Sequence, residues 1–240
     1  MKMSTRSALA FVGGAPLLMA MPTEAMTIVS EDWQTPNVST NTQLDDTATF
    51  AGWDFSDGGD NVFKLRDAGA GGSGGLVGGS EGTANQALQF EWDGEFAAYD
   101  TTHNWANDDV YNVTFNATEQ SWSSGSDRSV TVRIYEVSGV ANKQAGALLY
   151  SESVLLPQID SNHDDSGEDW SASQTFSLDF DAGDFSGGTE GTALSFQIGG
   201  GGLPGNRGTY VDNISFTLVP EPGSLALLGL GGLLIARRRR

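Results

Sequence analysis

Apolar and polar residues alternate along much of the chain between residues 27 and 218, and this period of two constrains the fold more than any other feature. Side chains on a β-strand point alternately to its two faces, so each alternating run predicts a strand with one buried face. Five runs show the pattern clearly: Leu88, Phe90 and Trp92; Tyr111, Val113 and Phe115; Val130, Val132 and Ile134; Phe176, Leu178 and Phe180; Leu194, Phe196 and Ile198. Clusters of Gly, Ser, Asn and Asp separate the runs, and no comparable helical stretch lies between them. The sequence therefore predicts an all-β domain, an antiparallel β-sandwich, over residues 26–218.

Composition and charge exclude several classes of function. The chain has no cysteine, which rules out disulfides, a thiolate zinc site and a cysteine nucleophile. It carries 31 acidic residues against 12 basic ones, for a net charge of −19. Half of the basic residues lie at the extreme ends of the chain, so the domain between them is the more acidic part. Such a surface repels nucleic acid and anionic lipid, and we expect no nucleic-acid partner.

The N-terminal segment, residues 1–25, has the pattern of a secretory signal peptide. Lys2 and Arg6 precede a mainly apolar stretch over residues 8–21, and small residues at Thr23 and Ala25 offer a cleavage site. We therefore expect the chain to be exported and this segment to be removed.

The C-terminal segment, residues 219–240, is separate from the sandwich. Pro220 and Pro222 flank Glu221 and cannot continue a strand or a helix. An uncharged run over residues 225–236 follows, and then four arginines, which predict a transmembrane helix with its basic end in the cytoplasm. As a helix, this run and the two residues before it measure roughly 21 Å at 1.5 Å per residue, against a hydrocarbon core of about 30 Å. A span this short suits a temporary anchor.

The tail resembles a PEP-CTERM sorting signal, which combines a Pro-Glu-Pro motif, an apolar helix and a basic end. Pro220, Glu221 and Pro222 supply the motif, and residues 225–240 supply the other two parts. The resemblance implies an exosortase-type processing enzyme as partner, removal of the tail near the motif, and a Gram-negative-type bacterium as the source. It also implies that the protein is membrane-anchored or held at the cell surface or in an exopolysaccharide matrix.

The last predicted strand contains one carboxylate in an apolar setting. Alternation places five residues on one inward face: Tyr210, Asp212, Ile214, Phe216 and Leu218. A carboxylate there must accept hydrogen bonds or bind a metal ion. The first strand ends in Glu31 and Asp32, and the first and last strands of a sandwich can be neighbours. Two interpretations follow for Asp212: it joins Glu31 or Asp32 around a structural calcium ion, or it accepts hydrogen bonds from backbone or hydroxyl groups.

The segment from Tyr210 to Ile214 resembles the end of the galactose-binding-like jelly roll found in many carbohydrate-binding modules. That family has a Tyr-x-Asp-Asn/Asp-hydrophobic strand and a structural calcium ion near both termini. The resemblance implies a jelly-roll sandwich, calcium ligands at Glu31, Asp32 and Asp212, and binding of polysaccharide.

Three tryptophans are candidates for sugar contacts. Trp105, Trp122 and Trp170 lie in polar, turn-rich stretches, beside the Asn and Asp residues that could bind sugar hydroxyls. Flat aromatic faces suit stacking on sugar rings. The alternative is that each ring closes one end of the sandwich core.

Catalysis has little support in the sequence. Neither His103 nor His163 has a metal-binding partner at a recognised spacing, and no pair of carboxylates stands out. We therefore predict a non-enzymatic surface or matrix protein that binds polysaccharide. The alternatives are a purely structural or adhesive surface protein without a small ligand, and a glycan-degrading enzyme.

Overall fold

The computed structural model describes residues 25–33, 42–44, 49–50, 52–56, 63–67, 86–90, 95–121, 128–137, 146–157, 169–170, 173–201 and 208–220. These ranges contain fourteen strands and a single helical turn, the 3₁₀ turn Ala182–Asp184. All the strand pairs within them are antiparallel. The all-β class predicted from the period of two is confirmed. Residues 1–24 of the predicted signal segment, the motif residues Glu221 and Pro222, and the predicted transmembrane helix lie outside the described residues.

The strands form two sheets. In chain order they are β1 (Met26–Glu31), β2 (Thr42–Leu44), β3 (Thr49–Phe50), β4 (Trp53–Ser56), β5 (Phe63–Asp67), β6 (Gln86–Phe90), β7 (Phe96–Asn104), β8 (Val110–Ser121), β9 (Ser129–Glu136), β10 (Leu148–Leu155), β11 (Asp169–Trp170), β12 (Gln174–Asp181), β13 (Ala193–Gly201) and β14 (Gly208–Val219). The eight-stranded sheet has the order β11-β8-β14-β6-β5-β2, with β1 beside β14 and β12 beside β8. The six-stranded sheet has the order β10-β9-β13-β7-β4-β3. The chain passes from one sheet to the other between β2 and β3, β4 and β5, β6 and β7, β7 and β8, β8 and β9, β10 and β11, β12 and β13, and β13 and β14.

The core lies between the two sheets and is rich in aromatic rings. Phe196 of the six-stranded sheet stacks on Phe216 of the eight-stranded sheet, with ring centroids 5.5 Å apart. Trp33, just after β1, packs on Trp53 at 5.1 Å. Within the described residues, the apolar members of the five alternating runs lie in this core, except that Phe176 is only partly buried at its edge. The predicted sandwich is confirmed. Trp92 lies outside the described residues.

Strand β14 changes face at a β-bulge, which corrects the predicted inward face of this strand. Val211 lies opposite Ala117 and Phe216 opposite Val113, and all four belong to the core. Between these two residue pairs the register shifts, because β14 contains one residue more than β8 there. Asn213, which lies in this segment, has a φ of 51°. Tyr210 therefore occupies the face turned away from the core, together with Asp212, whose cross-strand partner is Asn116. The prediction that Tyr210 and Asp212 share the inward face of Ile214 was wrong, since one bulge residue inverts the alternation.

The bulge also marks where β14 exchanges one neighbour for another. Before it, residues 209–211 pair with β6; after it, residues 214–218 pair with β1. The end of β1 is thereby placed beside Asp212.

We expect Asn213→Ala to be less stable than Asn213→Gly by about 1 kcal/mol, because a positive φ brings Cβ too close to the carbonyl oxygen. Both variants lose the amide group that donates to the Asp212 carboxylate at 3.3 Å. The difference in stability between them therefore reflects the backbone conformation at residue 213. Urea unfolding of the two variants measures it. Equal stabilities would mean that Asn213 does not hold the left-handed conformation.

Candidate functional site

The outer face of the six-stranded sheet carries a polar row that crosses five strands. Register places its members directly opposite one another on β10, β9, β13, β7 and β4: Ser151, Arg133, Gln197, Ala98 and Asp54. Their chain neighbours Val132, Phe196 and Ala97 belong to the core, so the row faces away from it. Sequence alternation predicts that Arg133 and Gln197 point outward. It does not predict that they are neighbours in the sheet.

The central residue of the polar row is the most buried of its polar members. Gln197 is 0% exposed, whereas Arg133 and Asp54 are half-buried and Ser151 is exposed. Arg133 and Asp54 lie three strand spacings apart, about 14 Å, so opposite charges flank the central amide. Among the side chains that the structure describes, Arg133 is the one Arg or Lys with solvent exposure, because Arg128 is fully buried.

A second, shorter row lies beside the first on the same face. Ser195 of β13 is opposite Tyr135 of β9 on one side and Asp100 of β7 on the other. Ser195 is 0% exposed, and its two partners are half-buried. The two rows together place an aromatic ring, a guanidinium group, an amide, two serine hydroxyls and two carboxylates on one face. These groups bind hydroxylated ligands by stacking and hydrogen bonding.

The three predicted calcium ligands lie near one another at the bulge of β14. Burial raises the pKa of Asp212 to about 8, the backbone N–H of Asn213 opposes this shift, and the charges of Asp32 and Glu31 add to it. Burial is also the main cause that raises the pKa of Glu31. The Glu31 carboxylate accepts hydrogen bonds from the backbone N–H of Trp33 at 2.8 Å and from Trp53 Nε1 at 3.2 Å.

The protein itself supplies hydrogen bonds to two of these three carboxylates, and the predicted calcium ion stays a prediction. Both Glu31 oxygens are engaged by the protein, and both Asp212 oxygens accept hydrogen bonds from Asn213. Over the part of the chain that the structure describes, no three His, Cys, Asp or Glu side chains are grouped so that they could hold a metal ion. The alternative expected for Asp212, a buried carboxylate that accepts hydrogen bonds, describes its contacts.

Trp105 lies in the core and not on an open surface. It is 4% exposed, its ring packs on Phe185 with centroids 5.1 Å apart, and its Nε1 donates to Thr192 Oγ1 at 3.1 Å. These contacts are those expected of a ring that closes one end of the sandwich. The backbone of Trp170 lies opposite Gln120. The side chain of Trp170 and the whole of Trp122 lie outside the described residues. Sugar contacts by Trp122 and Trp170 stay a prediction.

A hydrogen-bonded cluster next to Trp105 was not predicted from the sequence. Asp109 Oδ2 accepts hydrogen bonds from Tyr111 OH and from the backbone N–H of Ala106, both at 2.8 Å, and lies 3.3 Å from His103 Nε2. Burial, and then the hydrogen bond to Asp109, raise the pKa of Tyr111 far above its ordinary range. One carboxylate oxygen thus holds the 105–109 turn in place. The clue in the sequence was the proximity of His103 to Asp109 in an Asn/Asp-rich loop.

Comparison with protein families identifies the end of the chain. The PEP-CTERM protein-sorting motif matches residues 218–240. The motif marks the chain as a secreted, surface-targeted protein. Residues 25–220, within their described parts, contain no helix that is both long and apolar enough to cross a bilayer. No curated protein matches the chain.

Solved structures are similar to the chain at low sequence identity. A cyclase from Fischerella sp. TAU is 14% identical, with a TM-score of 0.53 over 82% of this chain and 98% of that chain. A putative sugar binding protein from Bacteroides thetaiotaomicron VPI-5482 is 11% identical, with a TM-score of 0.48 over 80% of this chain and 100% of that chain. The CBM22-1 xylan-binding domain from Paenibacillus barcinonensis Xyn10C is 8% identical, with a TM-score of 0.40 over 84% of this chain and 99% of that chain. At 14% identity the likeness to the cyclase concerns the fold alone.

Proposed function

We propose that this surface-targeted chain is a non-enzymatic polysaccharide-binding protein, and that it binds its ligand on the outer face of the six-stranded sheet. The polar row of Arg133, Gln197 and Asp54 is the observation that carries the proposal. Sugar hydroxyls both donate and accept hydrogen bonds. A guanidinium group donates to them, a carboxylate accepts from them, and an amide does both.

The dimensions of the polar row favour a polymer over a single sugar. From Ser151 to Asp54 the row covers four strand spacings, about 19 Å. This is longer than one monosaccharide, so a chain of sugars would cross the strands. Because four of the five residues in the row are polar and the chain is acidic, the face is unsuited to an apolar partner or to nucleic acid.

The proposed delivery of this domain depends on the tail. Strand β14 pairs up to Val219, so the folded sheet ends one residue before Pro220. We propose that residues 225–236 hold the domain at the membrane until an exosortase-type enzyme removes the tail, and that the jelly-roll domain then joins the cell surface or an exopolysaccharide matrix. The short connection keeps the domain close to the membrane before processing.

Pull-down with insoluble polysaccharides and a glycan array, both using the full chain in mild detergent, test the binding proposal. We expect Arg133→Ala to weaken binding by about tenfold, since a hydrogen bond to a charged group is lost. Thr114→Ala, on the outer face of the other sheet, is the matched control and should bind like the wild type. An absence of binding across a broad panel would contradict the proposal and favour a structural or adhesive surface protein.

A further inference from the structure

We infer that Tyr135, Ser195 and Asp100 form a subsite for an uncharged sugar that presents two adjacent hydroxyls. This inference rests on the proposed polysaccharide-binding function and adds the class of ligand that the face selects. Tyr135, Ser195 and Asp100 are called the short row below.

Register brings the three side chains of the short row together on one face. Ser195 is the direct cross-strand partner of Tyr135 and of Asp100. Directly opposite residues on antiparallel strands have Cβ atoms about 4.5–5.5 Å apart. A hydroxyl therefore lies between an aromatic ring on one side and a carboxylate on the other, over a width of about 10 Å.

Two polar atoms of the short row are buried and have no hydrogen-bond partner in the part of the chain that the structure describes. Neither Ser195 Oγ nor Asp100 Oδ1 has a hydrogen-bond partner among the described residues, and Ser195 is 0% exposed. A buried hydroxyl or carboxylate oxygen in this state destabilises the fold, and an alanine at position 195 would avoid that cost. A ligand hydroxyl would give both atoms a hydrogen-bond partner, and its entry requires the side chains that cover Ser195 to move aside.

Thr209 provides a contrast within the same protein. Its Oγ1 is also buried without a hydrogen-bond partner in the described part of the chain. Thr209 lies opposite Phe90, a core residue, and therefore faces the interior of the sandwich. A ligand on the outer face cannot reach Thr209, whereas Ser195 and Asp100 belong to that face.

The chemistry of the short row selects the ligand. The carboxylate oxygens of Asp100 are hydrogen-bond acceptors and suit donors such as sugar hydroxyls. Ser195 can donate or accept, and the Tyr135 ring offers an apolar face for a sugar ring. A uronic acid placed here would bring its own carboxylate against Asp100, which is unfavourable. Arg133, two residues along β9 from Tyr135, would favour the uronic acid, so the two ligand classes have to be compared directly.

Isothermal titration of the full chain in detergent distinguishes the two classes. The probes are neutral hexasaccharides of glucose, xylose and mannose, and a hexagalacturonate. We expect the wild type to bind a neutral hexasaccharide at least tenfold more tightly than the uronate. Asp100→Asn should weaken neutral binding by at least about tenfold and Ser195→Ala by about fivefold. The ratio of the affinities for the neutral hexasaccharide and the uronate should also fall in Asp100→Asn. A purely structural role of Asp100 would leave this ratio unchanged.

Asp179→Asn is the matched control, because Asp179 is an exposed carboxylate of β12 on the outer face of the other sheet. It should bind like the wild type. Thermal unfolding of each variant confirms that it is folded.

Three results would overturn the inference, and they separate it from the proposed function. If Arg133→Ala loses binding while Asp100→Asn and Ser195→Ala do not, the face binds sugar but the short row is not the subsite. A wild type that prefers the uronate contradicts the selection of neutral sugars and leaves the binding face intact. If the wild type binds none of the probes and nothing on a broad array, the inference and the proposed function both fail.

Discussion

Replacing Arg128 with alanine is expected to lower the free energy of unfolding by about 3–5 kcal/mol. Arg128 Nε lies 2.9 Å from Glu119 Oε1, and the two side chains are 0% and 2% exposed. Glu119 is opposite Thr209 on the inward face of the eight-stranded sheet, at one end of the core. Removal of the guanidinium group leaves a carboxylate inside the protein without its counter-ion, and the low dielectric makes that charge costly.

A set of variants separates the loss of this ion pair from the loss of packing. Glu119→Gln combined with Arg128→Met removes both charges and should recover much of the stability, since a buried pair is often no better than apolar residues of similar size. Arg133→Ala, at a half-buried surface position, should change stability by less than about 0.5 kcal/mol. Urea unfolding followed by tryptophan fluorescence measures all three. A loss below about 1 kcal/mol for Arg128→Ala would mean that water reaches the pair.

The sandwich and its core could be predicted because alternation is a local property of a strand. Val130, Val132 and Ile134 identify their own inward face without reference to any other part of the chain. Register is different, because it depends on pairing between segments that are distant in sequence. The alignment of residues 100, 135 and 195 across three strands has no local signal. The candidate binding face therefore emerged only from the structure.

The burial of polar residues could not be predicted from the sequence either. In the alternating run from Leu194 to Ile198, Ser195 and Gln197 have the positions of solvent-facing residues, yet both are 0% exposed. A sequence pattern assigns a residue to a face of the sheet but cannot say whether that face is open. Trp105 illustrates the same limit, because its polar neighbours fit a ring that turns outward as well as one that turns into the core.

The bulge of β14 could be anticipated only in part. Asn tolerates a positive φ better than most residues, so Asn213 is a reasonable bulge position. Nothing local distinguishes it from an ordinary strand residue, and the uninterrupted parity from Tyr210 to Leu218 favoured a regular strand. The bulge decides that Asp212 faces away from the core while remaining 0% exposed.

The second large effect that we expect is a loss of stability with rising pH that depends on Asp212. Its pKa is about 8 in the folded protein against an ordinary value of 3.8, so the folded state binds this proton more tightly. The stabilisation is complete below pH 4, declines as the pH rises from about 4 to about 8, and is constant above that range. Between pH 5 and pH 8 the wild type should therefore lose up to about 4 kcal/mol more than Asp212→Asn does. Urea unfolding in the presence of a chelator measures the difference, with Asp179→Asn as an exposed-carboxylate control that retains the wild-type slope.

The same titration with calcium in place of the chelator decides between the two interpretations of Asp212. A bound calcium ion would hold the carboxylates of Asp212, Asp32 and Glu31 in their ionised form, raise the free energy of unfolding as calcium increases, and remove the pH dependence. Because Glu31 accepts hydrogen bonds from Trp33 and Trp53 with its two oxygens, we expect calcium to leave the slope unchanged. If calcium flattens the wild-type slope and has no effect on Asp212→Asn, the ion predicted by the family resemblance is present, and the hydrogen bonds at Glu31 must rearrange to admit it.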